Sequence, residues 1–550
     1  MTPTRAVSGK DVQQTPQQIA QALEEFMAAH EHAVVAEEGR VLFDLRRAKY
    51  SLTTEYGRCT LQLWDEDRNL VRRLSAVTPR GAGAAASLRL TVLRFGQTRP
   101  GSLDILADRD RRTPSTQQVI RVRYLRTLER AVLRGSAHGR DAWGDWKLDG
   151  LRAAMDLEKS FGPAYARGSL VNGQQAWALI GVNADETQAT IDGVLTVGVL
   201  WLAHCRENAA GRRLYRGLRI VLPRGMAALT ASRLAWMNSD AAQWELWELD
   251  ERTEELTQRD AADHGNLATR LMHAPDEAAA RERFAESSAK VMQLVPDDAR
   301  ALIEQRVRSS AEMAFLLHGL EFARVRAGYA GQSFNRIQQI TFGAGANETP
   351  LTEENSDQLR ELVARLCARR QSDGSQSDVL YRTQPERWLE SMLCRDVTAI
   401  DAHLDPTHAY AQVAAFAAND RGMLDLLSVD RDGRLAVIEL KADDDLHLAL
   451  QGLDYWVRVR WHHAQTVDPG NSAAFGLGEF QRNGYFPGVR LSSAAPKLYL
   501  VAPALRIHPA TEKVLHYLSP RVEWELVALD ERWRKKVKVI WRKRSSDRAT

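Results

Sequence analysis

Cysteine is scarce in this sequence, and the four present, Cys59, Cys205, Cys367 and Cys394, lie far apart with no CxxC or Cys/His spacing. That excludes a zinc site and a disulfide scaffold, and it fits a reducing cytoplasm. Long apolar runs are missing too. The longest, VLTVGVLWLA (Val194–Ala203), is about half of what a bilayer span requires and reads as core, so no membrane is expected. The opening MTPTRAVSGKDVQQTPQQ is polar with no hydrophobic segment, so no signal peptide is expected and a cytoplasmic location is. An excess of one charge is absent: 74 basic residues face 71 acidic ones, a net charge of +3. Overall charge therefore neither argues for nor excludes a polyanionic partner, and any nucleic-acid footprint must be local. The glycine-rich GAGAAAS (Gly81–Ser87) lacks the Lys-Ser/Thr of a phosphate loop. The 14 histidines show no pair at metal spacing with a carboxylate, and no helicase motif is present.

What is there is ordinary globular composition, 44% hydrophobic and 26% charged, on a chain of 550 residues, too long for one core. Residues 1–20 read as a disordered lead-in. Residues 21–255 read as an α/β region: a helix from Gln17 to His32, strands VLFDL, CTLQLW, LVRRLSAV and LRLTVLRF, a helix from Pro114, then AWALIGV, GLRIVL and QWELWEL alternating with helical patterns. Residues 256–370, rich in Ala, Glu, Arg and Leu, predict a helical middle. The polar tract QSDGSQSD (371–378) predicts a linker, and 379–550 a further α/β domain.

Within that last region, GMLDLLSVDRDGRLAVIELKADDDLHLALQGLDYW (422–456) places Asp425, Glu439 and Lys441 among Leu, Ile, Val and Ala. Strands buried on both faces read as near-continuous apolar runs, so charges inside them need a reason. Strand alternation points Glu439 and Lys441 the same way. The turn decides Asp425. A three-residue loop Arg431-Asp432-Gly433 sets Asp425 opposite Glu439, whereas a two-residue Asp432-Gly433 turn sends the carboxylates to opposite faces. Adjacent buried carboxylates repel unless a cation joins them, and hard oxygen donors suit Mg²⁺ or Mn²⁺. Gln451 and Tyr455, at i and i+4, share one face of the following helix. The acids Asp443–Asp445 suit the start of that helix. The basic C-terminal run ERWRKKVKVIWRKRSSDRAT reads either as a phosphate-gripping segment or as a solvated tail.

A helix glutamate, a hairpin aspartate, E-x-K on the next strand and Q-x-x-x-Y on the following helix resemble the PD-(D/E)XK nuclease superfamily, in its RecB-like QxxxY branch. The resemblance covers roughly Tyr381–Val539. Glu386 fits the helix position (E-x-x-L-x-x-x-L with Leu389 and Leu393) better than Glu390, and Leu424 stands where the motif's proline belongs. The resemblance implies that Asp425 and Glu439 bind Mg²⁺ or Mn²⁺, that Lys441 is catalytic, and that Glu386, Gln451 and Tyr455 support them. It also implies phosphodiester hydrolysis on nucleic acid, DNA ahead of RNA. The alternative is a non-catalytic nucleic-acid-binding or assembly protein that keeps the fold. The expected fold is α/β multidomain, with a C-terminal restriction-endonuclease-like mixed sheet flanked by helices.

The N-terminal α/β region reads as a degenerate copy of that sheet. W-E-L-x-x-L-D-E-R occurs at Trp244 and again at Trp524, and WALIGVNADE (177–186) aligns with LAVIELKADD (435–444). This alignment sets Gly181 against Glu439 and Asn183 against Lys441, while Val197 and Trp201, or Asp192 and Thr196, take the Gln and Tyr positions. Such a copy cannot hydrolyse. It is expected to pack on the active domain or to present a surface for substrate or a protein partner.

Overall fold

The computed structural model describes residues 14–547 except 31–32, 38–39, 46–47, 55–56, 65–68, 81–85, 94–100, 108–113, 138–142, 157–159, 210, 262–269, 330–335, 344–347, 418–419 and 465–477. It is a mixed α/β protein that divides into two units, one of residues 1–120 with 343–349 and one of 121–342 with 350–550.

In the first unit, α1 (Pro16–Ala29) opens on a capping box between Thr15 and Gln18. The lead-in expected over 1–20 is therefore helical from Pro16, while residues 1–13 lie outside the described residues. Strands β1 (Val34–Glu37), β2 (Arg40–Asp44), β3 (Lys49–Thr53), β4 (Cys59–Trp64), β5 (Asn69–Arg80), β6 (Ser87–Leu93) and β7 (Gly101–Leu106) form one antiparallel sheet, ordered β2-β1-β7-β6-β5-β4-β3. Burial alternates along β4 and β6, as in a sheet with one buried face, and Ile19, Leu23 and Met27 of α1 join that core. The α/β region expected over 21–255 is thus not one body. Its first part is this antiparallel sheet, and the division falls within α2 (Pro114–Ala137).

The second unit contains two sheets of matching design. The N-lobe sheet comprises β8 (Lys147–Arg152), β9 (Tyr165–Asn172), β10 (Gln175–Val182), β11 (Leu214–Pro223), β12 (Gln243–Asp250) and β13 (Glu255–Arg259), paired in that order. The pairings β10–β11 and β11–β12 are parallel and the others antiparallel. Helices α3 (Gln188–Asp192) and α4 (Val194–Asn208) connect β10 to β11, and α5 (Ala228–Leu234) connects β11 to β12. The run VLTVGVLWLA is α4, buried along its whole length, because its sheet covers one side and a C-lobe helix the other.

Between the lobes the expected helical middle is mainly a sheet. After β14 (Arg270–Leu271), α6 (Glu277–Arg283) and α7 (Ala285–Gln293), strands β15 (Ile303–Ser309), β16 (Glu312–Leu317), β17 (Leu320–Tyr329), β18 (Arg336–Phe342) and β19 (Thr349–Pro350) pair in sequence. Ala, Glu, Arg and Leu favour helix by propensity, yet tertiary burial overrides that weak preference. The missed signal was the turn: His318 (φ 47°) and Gly319 (φ 75°) link Leu317 to Leu320 as the two central residues of a hairpin turn that needs positive φ at both. Helix α8 (Ser356–Arg369) packs on this sheet through Leu359, Val363 and Leu366. The tract 371–378, expected as a linker between domains, folds as turns inside the second unit between α8 and α9 (Val379–Arg382).

The C-lobe follows: α10 (Pro385–Arg395), β20 (Leu404–Ala417), β21 (Asp420–Asp430), β22 (Leu435–Leu440), α11 (Leu448–Ala464), α12 (Glu479–Arg482), β23 (Lys497–Pro503), α13 (Ala510–His516), β24 (Trp524–Leu529) and β25 (Val539–Arg544). Its strands β20 to β25 pair in order, with β22–β23 and β23–β24 parallel and the rest antiparallel. Strand for strand this is the order and sense of β8 to β13, with β14 added at the β20 edge.

The lobes meet through their helices, reciprocally. N-lobe α4 packs on C-lobe α13, and C-lobe α11 packs on N-lobe α5. One hydrophobic core runs through both, including Ile180, Leu218 and Leu246 from one sheet and Val437, Leu500 and Leu526 from the other. Residues 379–550 are therefore not a separately packed domain. The junction is pinned by Arg233–Asp454 at 2.7 Å and by a short antiparallel bridge. There Met237 pairs with Leu518, and Asn238 N donates to Tyr517 O at 2.8 Å. Counting from the shared W-E-L motif, Met237 and Asn238 are the counterparts of Tyr517 and Leu518, so the pairing is the one a two-fold axis generates. The outer faces have separate cores, with Tyr124 and Leu128 of α2 on one and Trp388 and Leu389 of α10 on the other.

Candidate active site

The turn resolves in favour of the three-residue loop. Asp430 N donates to Arg434 O at 2.9 Å, Gly433 N donates to Asp430 O at 3.0 Å, and Gly433 takes φ 80°, a conformation glycine adopts without strain. The ladder Leu426↔Ile438 to Val429↔Leu435 then brings Asp425 opposite Glu439. The Asp425 carboxylate curls back on the ladder, Oδ2 accepting from Leu440 N at 2.9 Å.

Glu439 is 1% exposed. Burial pushes its carboxyl well above the usual carboxylate range, the Asp425 carboxyl beside it pushes the same way, and Lys441 opposes both. Its Oε1 lies 3.2 Å from Lys441 Nζ, while its buried Oε2 has no hydrogen-bond partner among the described residues. Lys441 Nζ also lies 3.7 Å from Asp445 Oδ2. Burial works against the charge on Lys441, but Glu439, Glu386, Asp445 and Asp425 outweigh it and raise its pKa. Lys441 thus stays an ammonium, a donor and a positive charge.

Glu386, on the first turn of α10, has its carboxyl pKa raised by burial, which Lys441 partly offsets and Asp425 adds to, so it shares their electrostatic neighbourhood. Glu390, one turn on, is committed elsewhere. It binds Arg306 at 2.6 Å and Arg387 at 2.8 Å and accepts from Gln412 Nε2 at 3.0 Å, tying α10 to the middle sheet. The backbone ahead of α10 is held by Arg370, fully buried, which donates to the carbonyls of Leu380, Thr383 and Gln384 and stacks on Trp388.

On α11, Gly452 lets the helix approach the sheet: a Cβ there would collide with the Leu500 side chain and press on that of Leu498, and would lie 3.5 Å from the Glu439 Cβ. Flanking it, the Gln451 Oε1 is buried and without a partner among the described residues. The Tyr455 hydroxyl is held protonated by burial and by the Glu439 and Asp425 charges. Asp445 serves the helix start as expected, its Oδ1 accepting from His447 N at 2.7 Å, but it also pairs with Lys441. His447, unremarked in the sequence, reaches Thr196 of the N-lobe at 3.1 Å.

Asp425, Glu439 and Lys441 therefore converge, with Glu386 and Tyr455 in electrostatic contact with them and Gln451 next to the glycine that abuts Glu439. Among the described residues no group of three or more His, Cys, Asp or Glu is placed to enclose a metal ion. Two adjoining carboxylates with an unpartnered buried oxygen fit an ion that keeps most of its coordination as water and substrate oxygens, as Mg²⁺ does and Mn²⁺ can.

The N-lobe shows what the same position holds without those groups. Its crossing helix has Gly198, whose Cβ would meet Ile180 Cγ2 at 3.0 Å, as Gly452 meets Glu439. Ile180 therefore stands in for Glu439, Val182 for Lys441, and Arg167, paired with Ile180, for Asp425. Gly181 and Asn183, expected at the glutamate and lysine positions, are one residue out of register: Gly181 faces Tyr124 and Leu128 on the outer side. Both strands are apolar on both faces, so their pattern does not report register, and a one-residue slip exchanges the faces. The hairpins differ by that residue, two between Asn172 and Gln175 against three between Asp430 and Arg434. Setting Gly198 of α4 against Gly452 of α11 assigns Val197 and Trp201, not Asp192 and Thr196, to the Gln451 and Tyr455 positions. Arg167 is held within the lobe, donating through Nη1 to Gly162 O at 2.8 Å and stacking on Phe161 at 4.8 Å, while its buried Nε has no partner among the described residues.

No family model and no curated protein matches the chain. Among the described residues no helix is long and apolar enough to cross a membrane.

Proposed function

We propose that the chain is a metal-dependent nuclease that hydrolyses phosphodiester bonds of DNA, with its active site in the C-lobe. The observation that carries this reading is the buried Glu439, its Oε2 unpartnered, beside Asp425 and Lys441 on one face of a hairpin. Burial and the neighbouring Asp425 carboxyl both disfavour charge on Glu439, a cost that its ion pair with Lys441 only partly offsets. A bound cation would relieve it. The element order α10, β20, β21, β22, α11 supports the likeness to restriction-endonuclease-like cores proposed from the sequence.

Asp425 and Glu439 would hold Mg²⁺ or Mn²⁺, which when bound polarises the phosphodiester and lowers the pKa of water. In the reaction a water oxygen forms a new bond to phosphorus, one P–O ester bond breaks, and the departing sugar oxygen takes up a proton. Lys441, kept charged by the surrounding carboxylates, donates hydrogen bonds to the attacking water or to the phosphoryl oxygen where charge builds. It is not the base. Glu386 can orient that water, while the Gln451 amide and Tyr455 hydroxyl supply donors toward a backbone phosphate.

The test is cleavage of labelled single- and double-stranded DNA and RNA with Mg²⁺, with Mn²⁺ and with EDTA. DNA should be cut in either metal and spared in EDTA. Cleavage that persists in EDTA, or in Asp425→Ala, would place the chemistry elsewhere.

A further inference from the structure

The N-lobe is where this chain departs from a lone hydrolytic domain. Two lobes of the same strand order are joined by reciprocal helix packing, α4 on α13 and α11 on α5, and by a bridge with two-fold pairing. The junction is buried and specific. It shares one core between the lobes and carries Arg233–Asp454, whose side chains are 7% and 12% exposed. This is how two copies of one lobe would form a symmetric dimer, except that both copies belong to one chain.

That has a consequence for the active C-lobe. The surface by which it would pair with a second active C-lobe is already occupied by the N-lobe. The occupant is inert at the matching position, where Ile180, Val182 and Arg167 replace Glu439, Lys441 and Asp425. Arg167 is there a buried cation bonded to backbone carbonyls, and Trp201, at the Tyr455 position, donates its indole N–H to Gly168 O at 2.8 Å. No metal would enter such a pocket.

From this asymmetry we infer that the chain incises one strand of duplex DNA per engagement. The duplex carries two-fold axes relating its antiparallel strands, and a two-lobed body with a matching axis can set one lobe against each strand. Only the strand facing the C-lobe meets a hydrolytic centre. The product of one engagement is a nick, and a double-strand break requires a second, independent engagement. This inference rests on the nuclease reading above and adds the number of cuts to it.

The experiment is a time course of the full chain with supercoiled plasmid in Mg²⁺, with Asp425→Ala as control, alongside a duplex oligonucleotide labelled on both strands under single-turnover conditions. Open circles should accumulate until the supercoiled form is consumed, with linear DNA appearing only afterwards, and each oligonucleotide duplex should be cut on one strand. Linear DNA produced directly from supercoiled substrate from the first time points would overturn the inference and leave the nuclease reading intact. So would cleavage restricted to single-stranded DNA. Absence of metal-dependent scission on every substrate would overturn both.

Discussion

The two lobes of the second unit share strand order, helix placement and a tight glycine contact between helix and sheet, yet they put different chemistry at one place. In the C-lobe that place holds a buried glutamate, an aspartate and a lysine; in the N-lobe, an isoleucine, a valine and a buried arginine that donates to backbone carbonyls. A polar pocket costs stability and a filled one adds to it. The difference teaches that architecture alone does not require the charges, since the same sheet folds around apolar replacements. Under the proposed function, the C-lobe keeps them for the reaction.

The comparison breaks most visibly on activity. Asp425→Ala, Glu439→Ala or Lys441→Ala should each lower the cleavage rate by about 10³-fold or more, since members of a cooperating set are lost together. Ile180→Val, at the N-lobe counterpart, should leave the rate within about two-fold, its cost confined to stability. A comparable loss of rate in the N-lobe variant would mean that the lobes do not divide labour as described.

The joint between the lobes comes next. Arg233→Ala strands Asp454 in a buried junction and should destabilise the second unit by about 3–5 kcal/mol. Asp454→Ala should cost a similar amount, and the double variant clearly less than the sum. Additive losses in denaturant titrations would show that the two groups do not act as one pair.

The paired glycines sharpen the structural equivalence. Gly198→Ala and Gly452→Ala each push a methyl group against the sheet and should cost about 1–3 kcal/mol. Only the Gly452 variant should also lower activity, because the methyl, driven against Leu500 and Leu498, pushes α11 away from the neighbouring strand that carries Glu439. Equal effects on activity would weaken the assignment of Ile180 to the glutamate position.

The smallest effect is a pH dependence. The Glu439 pKa is raised above the ordinary glutamate value of 4.5, so the folded protein keeps a proton that the unfolded chain releases. Stability from this group is full below about pH 4.5 and falls as pH rises toward the folded pKa. Glu439→Gln should therefore melt higher than the parent at pH 7–8 without metal and no higher at pH 4. Mg²⁺ should raise the parent's melting temperature and leave that of Glu439→Gln unchanged. A melting difference that does not vary with pH would show that Glu439 is not held under this strain.

Much of the C-lobe was legible because its signals are local. The Asp-Gly at 432–433 announced the turn, alternation put Glu439 and Lys441 on one face, and i,i+4 spacing aligned Gln451 with Tyr455. The Leu389/Leu393 pattern favoured Glu386, and the ion pairs of Glu390 with Arg306 and Arg387 gave the structural reason afterwards. The middle sheet was missed because helix-favouring composition concealed it, and its one sharp cue, His318-Gly319, is brief. The register of the N-lobe was missed because strands buried on both faces carry no face label.

By itself, then, the sequence determined which residues were out of place in an apolar strand, that a turn at Asp432-Gly433 joins their strands, and that a W-E-L-x-x-L-D-E-R echo recurs. These depend on neighbours a few positions apart, where backbone geometry leaves few choices. Only the tertiary structure decided that the echo is a second lobe of matching topology, that it shares its core with the first, and that Arg167, Ile180 and Val182 occupy the place of the charged residues. Those facts depend on contacts between segments from 221 to 311 positions apart. At that range the apolar pattern says only that a surface is buried, and packing chooses what buries it.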